Sequence, residues 1–150
     1  MIKAEDLRIG DLVRVREMKI CRFIPEDVAY KVTQINSEDL LINNRSSVCL
    51  YLTNPKQKQT EWPMSCWSLL PIPLTLEILE KNGWKGILYQ KLPWTYYRKE
   101  NSKVQVGYNC ESDKNPFSVV KGRVGLKRVN YVHELQHILW ALGEDANLKI

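Results

Sequence analysis

Short apolar segments with a two-residue period dominate the first half of the chain. After a turn predicted at Gly10 and Asp11, residues 12–16 alternate valine with arginine, which is the pattern of a half-buried strand. Further short strands are predicted at 29–35, 40–43, 47–52 and 62–70. The polar residues 53–61 predict a mobile loop. Five short strands without a helical period are typical of a small antiparallel barrel.

The order of these strands resembles that of SH3-like or KOW-type barrels. A G-D-x-V-x-V segment ends at Val15, and a longer strand containing V-T-Q-I at 32–35 follows it. The resemblance implies that residues 1–71 form an SH3-like antiparallel β-barrel.

A stiff connector separates this half from a second half with a different pattern. Pro71 and Pro73 each restrict their own backbone and push the preceding residue out of the helical region. Beyond them, Thr75 is a predicted helix N-cap. Gly83 is predicted to end that helix in the left-handed conformation, with Trp84 folding back as a structural residue.

The remaining residues predict strands and a second helix. The strands lie at 86–92, 94–99, 103–108, 116–121 and 123–129. Asn130 is the predicted N-cap of a helix over 131–142, which Gly143 ends. Residues 72–150 are therefore predicted to form a second domain, an antiparallel meander flanked by two helices, and the chain as a whole belongs to the α+β class.

The composition excludes a disordered chain and indicates a compartment. Of the 150 residues, 44% are hydrophobic, which is enough for a core. The first residues carry charges where a signal peptide or a membrane helix needs an apolar run, so we expect a cytoplasmic protein. The four cysteines include no C-x-x-C pair, and their spacing predicts neither a zinc knuckle nor a redox motif.

One segment carries a motif with known chemistry. Residues 133–137 match H-E-x-x-H, the zinc-peptidase signature in which His133 and His137 bind the metal and Glu134 is the general base. On a helical projection both histidines lie opposite the apolar stripe, where they either ligate a metal or face water.

A zinc enzyme is nevertheless the less favoured interpretation. Catalytic zinc needs a third protein ligand, and the chain has no further histidine. Downstream of the motif only Glu144 and Asp145 remain as acidic ligands, and spacing singles out no carboxylate upstream. No nucleophile elbow, P-loop or dinucleotide fingerprint occurs. We expect no catalytic residue, metal or cofactor; the alternative is a zinc-dependent metallopeptidase with Glu134 as base and His133 and His137 as ligands.

The second half also resembles a known group of proteins. I-P-L-T-L-E-I-L-E-K-N-G-W at 72–84, Y-V-H-E-L-Q-H at 131–137 and the final L-K-I are similar to small proteins of gut-bacterial prophages and mobile elements. The resemblance implies a shared architecture and no established activity, cofactor or partner. In that group the position of His137 can hold Asn and that of Glu134 can hold Gln, which implies no zinc chemistry.

Basic residues are concentrated in the second half. The net charge is +5, and residues 81–128 contain eleven Lys or Arg but only three acidic side chains. Such a charge distribution attracts nucleic acid or an acidic protein surface. Strand alternation groups cations with one aromatic ring, so the candidate nucleic-acid-binding residues are Tyr97, Lys99, Lys121, Arg123 and Lys127.

The function expected from the sequence is that of a non-enzymatic binding or adaptor protein of a mobile genetic element. A protein partner is favoured over nucleic acid, because no known RNA- or DNA-binding signature accompanies the basic residues. No contact with a membrane is expected, since no long apolar segment occurs.

Overall fold

The strand-forming segments of the first half pair into one antiparallel sheet. The computed structural model describes residues 2–16, 28–39, 48–54, 57–87, 93–114 and 116–150, and this sheet lies in a compact unit, Met1–Ile72. Its strands are β1 (Leu12–Val15), β2 (Tyr30–Asp39), β3 (Val48–Asn54), β4 (Gln57–Ser65) and β5 (Leu69–Pro71). They are arranged in the order β4-β3-β2-β1-β5.

Apolar side chains from all five of these strands contribute to the core of the first unit. The most deeply buried of them are Val13, Tyr30, Val32, Leu50, Leu52 and Leu69. Burying one aliphatic side chain of this size contributes about 1.5–3 kcal/mol before the cost in conformational entropy. The core of this unit therefore depends on the alternating apolar positions that its sequence shows.

The predicted loop at 53–61 is wrong. Most of this segment belongs to β3 and β4, which form an antiparallel hairpin in which Thr53 pairs with Glu61. Polar side chains are compatible with a strand when backbone hydrogen bonds and cross-strand partners stabilise it. Composition alone therefore misassigned the end of β3 and the start of β4.

The single strand predicted over 62–70 is also wrong. A 3-10 turn at Cys66–Ser68 separates β4 from β5. The turn allows β5 to leave β4 and to pair with β1 at the other side of the sheet. The strand predicted at 40–43 lies outside the described residues.

The residues beyond the connector form a second unit, Pro73–Ile150. Its elements are α1 (Leu76–Lys81), β6 (Trp84–Ile87), β7 (Trp94–Lys99), β8 (Val104–Asn109), β9 (Phe117–Lys121), β10 (Val124–Val129) and α2 (Val132–Ala141). The strands are adjacent in chain order, which makes the sheet an antiparallel meander. The predicted α+β class is confirmed. Neither described helix has the length and apolar character needed to cross a membrane.

Local chemistry sets both ends of α1, as predicted. The Thr75 hydroxyl oxygen accepts a hydrogen bond from the Ile78 backbone N–H at 3.3 Å, which satisfies one of the donors that every helix start leaves unpaired. Gly83 has a φ of 82°, the left-handed conformation that a glycine adopts without a Cβ penalty. Trp84, the next residue, is buried.

The second helix begins one residue later than predicted and is closed by glycine. Tyr131, and not Asn130, is the N-cap. At the other end Gly143 has a φ of 71°, and the Glu144 N–H donates to the Leu139 carbonyl at 2.9 Å. This bond and the one from Gly143 to Trp140 form a Schellman motif.

Strand register divides the second sheet into two faces. Alternate side chains on one face are buried and face the helices: Trp84, Tyr97, Val104, Val106, Phe117, Val119 and Val129. We call this the helix face. The opposite side, which we call the outer face, carries Lys85, Ile87, Trp94, Tyr96, Arg98, Gln105, Gly107, Ser118, Val120 and Arg128. Apart from Gly107, these residues are exposed or half-buried.

Candidate functional site

The glutamate of the H-E-x-x-H segment stabilises the start of its own helix. Glu134 is the third residue of α2, and its Oε2 accepts hydrogen bonds from the backbone N–H groups of Asn130 at 2.7 Å and Tyr131 at 3.2 Å. Its Oε1 lies 3.8 Å from Lys127 Nζ. A carboxylate at this position satisfies orphan N–H groups and opposes the positive end of the helix dipole. The geometry therefore gives Glu134 a capping role.

Replacing Glu134 with alanine is expected to destabilise the second unit by about 1–2 kcal/mol, because two backbone donors lose a charged acceptor. Glu134→Gln keeps an acceptor oxygen and should lose less. Urea unfolding followed by helical circular dichroism measures both, with Glu111→Ala as the control at an exposed loop position. A Glu134→Ala variant as stable as the unchanged protein would contradict the capping role.

The two histidines are in contact but are not both exposed. Their ring centroids lie 5.9 Å apart in an edge-to-face arrangement, and the Tyr131 ring stacks on His133 at 5.8 Å. His133 is only 5% exposed, so the prediction that both histidines lie on a solvent-facing side of the helix is wrong for His133. Tyr131, the residue before the helix, stacks on this ring and contributes to its burial.

The two carboxylates downstream of the H-E-x-x-H segment have partners in other parts of the second unit. Glu144 Oε1 accepts a hydrogen bond from the Lys103 N–H at 3.2 Å, and Asp145 Oδ2 lies 3.4 Å from Lys99 Nζ. Hydrogen bonds from Asn147 lower the pKa of Asp145, and the Lys99 charge adds to the effect. Within the described ranges no group of three His, Cys, Asp or Glu side chains is arranged to hold a metal ion.

Tyr97 and Lys99, two predicted nucleic-acid-binding residues of β7, lie on the helix face. Tyr97 is only 8% exposed, and its burial raises the pKa of its hydroxyl. The Tyr97 ring therefore has little surface with which to stack on a base. Lys99 projects from the same face and is paired with Asp145.

The three predicted cations of the last hairpin are all exposed, but only two of them belong to strands. Lys121 ends β9, and Arg123 lies in the turn before β10. A bulge between Gly125 and Lys127 shifts the alternation of β10 by one residue, so Lys127 pairs with the buried Val119 and approaches Glu134. The predicted grouping assumed a regular strand, whereas it is the bulge that places Lys127 on the same face as Lys121, and only Arg123 lies outside the strands.

The outer face carries two aromatic rings that sequence reasoning did not select. Trp94 and Tyr96 project from the same side of β7 and are half-buried. A Cβ placed on Gly107 of the neighbouring strand would lie 3.1 Å from carbon atoms of both rings. The two rings therefore pack directly over the backbone of β8, where the lack of a side chain at Gly107 makes room for them.

Three exposed cations lie on the same face of the sheet as these rings. Arg98 follows Tyr96 on the same side of β7, and Lys85 is its direct cross-strand partner on β6. Arg128 lies on β10, in the row that contains Tyr96, Gly107 and Ser118. No acidic residue occurs in any of the five strands. The outer face therefore combines three cations with two aromatic rings, on strands that contain no carboxylate.

The sequence contained a signal for this surface, but it was ambiguous. In the strand Trp94–Lys99, both alternating sets contain an aromatic residue and a cation. The two-residue period is visible, but it does not say which set faces the helices. Comparisons with known proteins add no identification: no family model, no curated protein and no solved structure matches the chain.

Proposed function

We propose that the protein is a non-enzymatic nucleic-acid-binding protein and that the outer face of the second sheet is its contact surface. The observation that carries the proposal is the combination of Lys85, Arg98 and Arg128 with two half-buried aromatic rings on strands without an acidic residue. Cations position a phosphate backbone, and aromatic rings add stacking with bases.

Charge complementarity favours nucleic acid over a protein partner. The outer-face cations have no carboxylate among their cross-strand neighbours, since Lys85 pairs with Arg98 and Arg128 pairs with Ser118. Two adjacent cations repel one another unless an anion lies near both. A polyanion supplies closely spaced negative charges along its length, which suits such an arrangement.

We further propose that the first unit is an SH3-like barrel and that the protein acts in the cytoplasm as a component of a mobile genetic element. The connectivity of the first unit supports the barrel: a four-strand meander is followed by a 3-10 turn and a short strand that pairs with β1. The mobile-element assignment rests on the sequence resemblance alone.

Two triple variants with equal charge loss test the binding surface. Lys85→Ala, Arg98→Ala and Arg128→Ala together remove the outer-face cations, whereas Lys121→Ala, Arg123→Ala and Lys127→Ala remove the set predicted from the sequence. Binding of labelled oligonucleotides is measured by fluorescence anisotropy over a range of salt concentrations. Three phosphate contacts on a single strand predict a log–log salt slope of about −2 for the unchanged protein, at about −0.7 per contact.

We expect the outer-face variant to lose most of its affinity, and any remaining binding to show a salt slope close to zero. The hairpin variant should bind with a slope close to that of the unchanged protein. If the hairpin variant loses binding and the outer-face variant keeps it, the binding site includes the hairpin residues and the outer-face proposal is wrong. If the unchanged protein binds no nucleic acid even at low salt, the proposed function is wrong and a protein partner replaces it.

A further inference from the structure

We propose that the nucleic acid bound on the outer face is single-stranded and that its unpaired bases stack on Trp94 and Tyr96. This inference rests on the proposed function and narrows it from nucleic acid in general to strands whose bases are accessible. It predicts that affinity depends on ring faces as well as on charge.

The placement of the two rings suits base stacking. Residues two apart on a strand lie about 6.5–7 Å from one another, so Trp94 and Tyr96 present two neighbouring rings along β7. Both rings pack against the Gly107 backbone, which restricts their movement. A ring held in place in this way loses little conformational entropy when a base stacks on it.

The cations lie where a nucleic-acid strand that crosses the two rings would place its phosphates. Arg98 continues the line of Trp94 and Tyr96 along β7, and Lys85 is beside it on the adjacent strand. Arg128 lies three strands from Tyr96 in the same row, which corresponds to about 14 Å at the usual strand spacing. Positive charge therefore borders the aromatic pair on two sides.

A nucleic-acid duplex would contact the cations of the outer face but not stack on its aromatic rings. Base edges in a double helix are read by an element that enters a groove, and the described outer face consists of strand side chains rather than a projecting helix. The ring faces of paired bases are covered by their neighbours in the stack. A duplex would thus contact Lys85, Arg98 and Arg128 without stacking on Trp94.

The test separates stacking from charge by changing Trp94 alone. Trp94→Leu keeps an apolar side chain over Gly107 but has no aromatic face, whereas Trp94→Phe restores one. Trp140→Leu is the matched control, because Trp140 is 68% exposed on α2. Circular dichroism checks the folding of each variant. The probes are end-labelled oligothymidylate, oligouridylate and a duplex of oligothymidylate with oligoadenylate, and the two single strands distinguish DNA from RNA.

We expect Trp94→Leu to weaken binding of one or both single strands by about 5- to 150-fold, the usual contribution of one stacked base. Trp94→Phe should recover much of this affinity, and Trp140→Leu should leave it unchanged. In the unchanged protein, binding should also quench a part of the tryptophan fluorescence that is missing in Trp94→Phe.

Duplex binding equal to single-strand binding, with no loss in Trp94→Leu, would overturn the stacking inference. The proposed function would survive that result, provided that the outer-face triple variant still loses binding. A complete lack of binding to all three probes would overturn both.

Discussion

Replacing Trp84 with alanine is expected to lower the free energy of unfolding of the second unit by about 3–5 kcal/mol, the usual cost of removing a buried tryptophan. The side chain is only 2% exposed and projects from the helix face of β6, directly after the glycine that ends α1. Removal of this side chain leaves a cavity on the helix face of β6. Urea unfolding followed by helical circular dichroism reports on this unit, because both described α-helices belong to it.

Two further variants show whether burial is the cause of this loss. Trp140→Ala removes the same side chain from an exposed position and should change stability by no more than about 0.5 kcal/mol. Trp84→Phe should cost less than Trp84→Ala, since the buried indole Nε1–H of Trp84 has no hydrogen-bond partner among the described residues. Equal losses for Trp84→Ala and Trp140→Ala would contradict the assignment of Trp84 to the core.

The second large effect is expected for Leu135→Ala, at about 2–5 kcal/mol. Leu135 is completely buried on α2, between the two histidines of the H-E-x-x-H segment. Its side chain belongs to the apolar stripe that packs this helix in the second unit, so truncation removes contacts that the surrounding residues replace only in part.

Leu126→Ala is the matched control for Leu135→Ala, because Leu126 is 42% exposed on β10. The same denaturation experiment should give a change close to zero for this variant. A loss in Leu135→Ala no larger than that in Leu126→Ala would show that α2 contributes little to the stability of the unit.

Features with local causes could be predicted from the sequence. Thr75 caps α1 through its own hydroxyl, and Gly83 and Gly143 end helices because their backbones adopt a conformation that other residues avoid. Each of these effects involves residues within one helical turn. The sequence therefore indicated both helix ends marked by glycine before any tertiary contact was known.

Features that depend on pairing could not be predicted in the same way. The strand period along β7 was visible, but the choice between the set with Trp94 and the set with Tyr97 depends on which side the helices cover. The position of Lys127 depends on a bulge that only the pairing of β10 with β9 reveals. The burial of His133 involves the ring of Tyr131, which the sequence placed inside the helix and the structure places at its N-cap. In each case the deciding contact is formed with another element or with a residue outside the regular pattern.

The bulge in β10 also affects how the protein behaves at high concentration. β10 is the last strand of its sheet, and Val124 and Leu126 are exposed on it. A long, flat and apolar edge strand is a template for pairing with another chain and hence for aggregation. The shift between Gly125 and Lys127 interrupts the ladder and increases the local twist, so a second molecule cannot continue the sheet in regular register. We therefore expect the irregularity that moves Lys127 to the helix face to disfavour self-association along this edge as well.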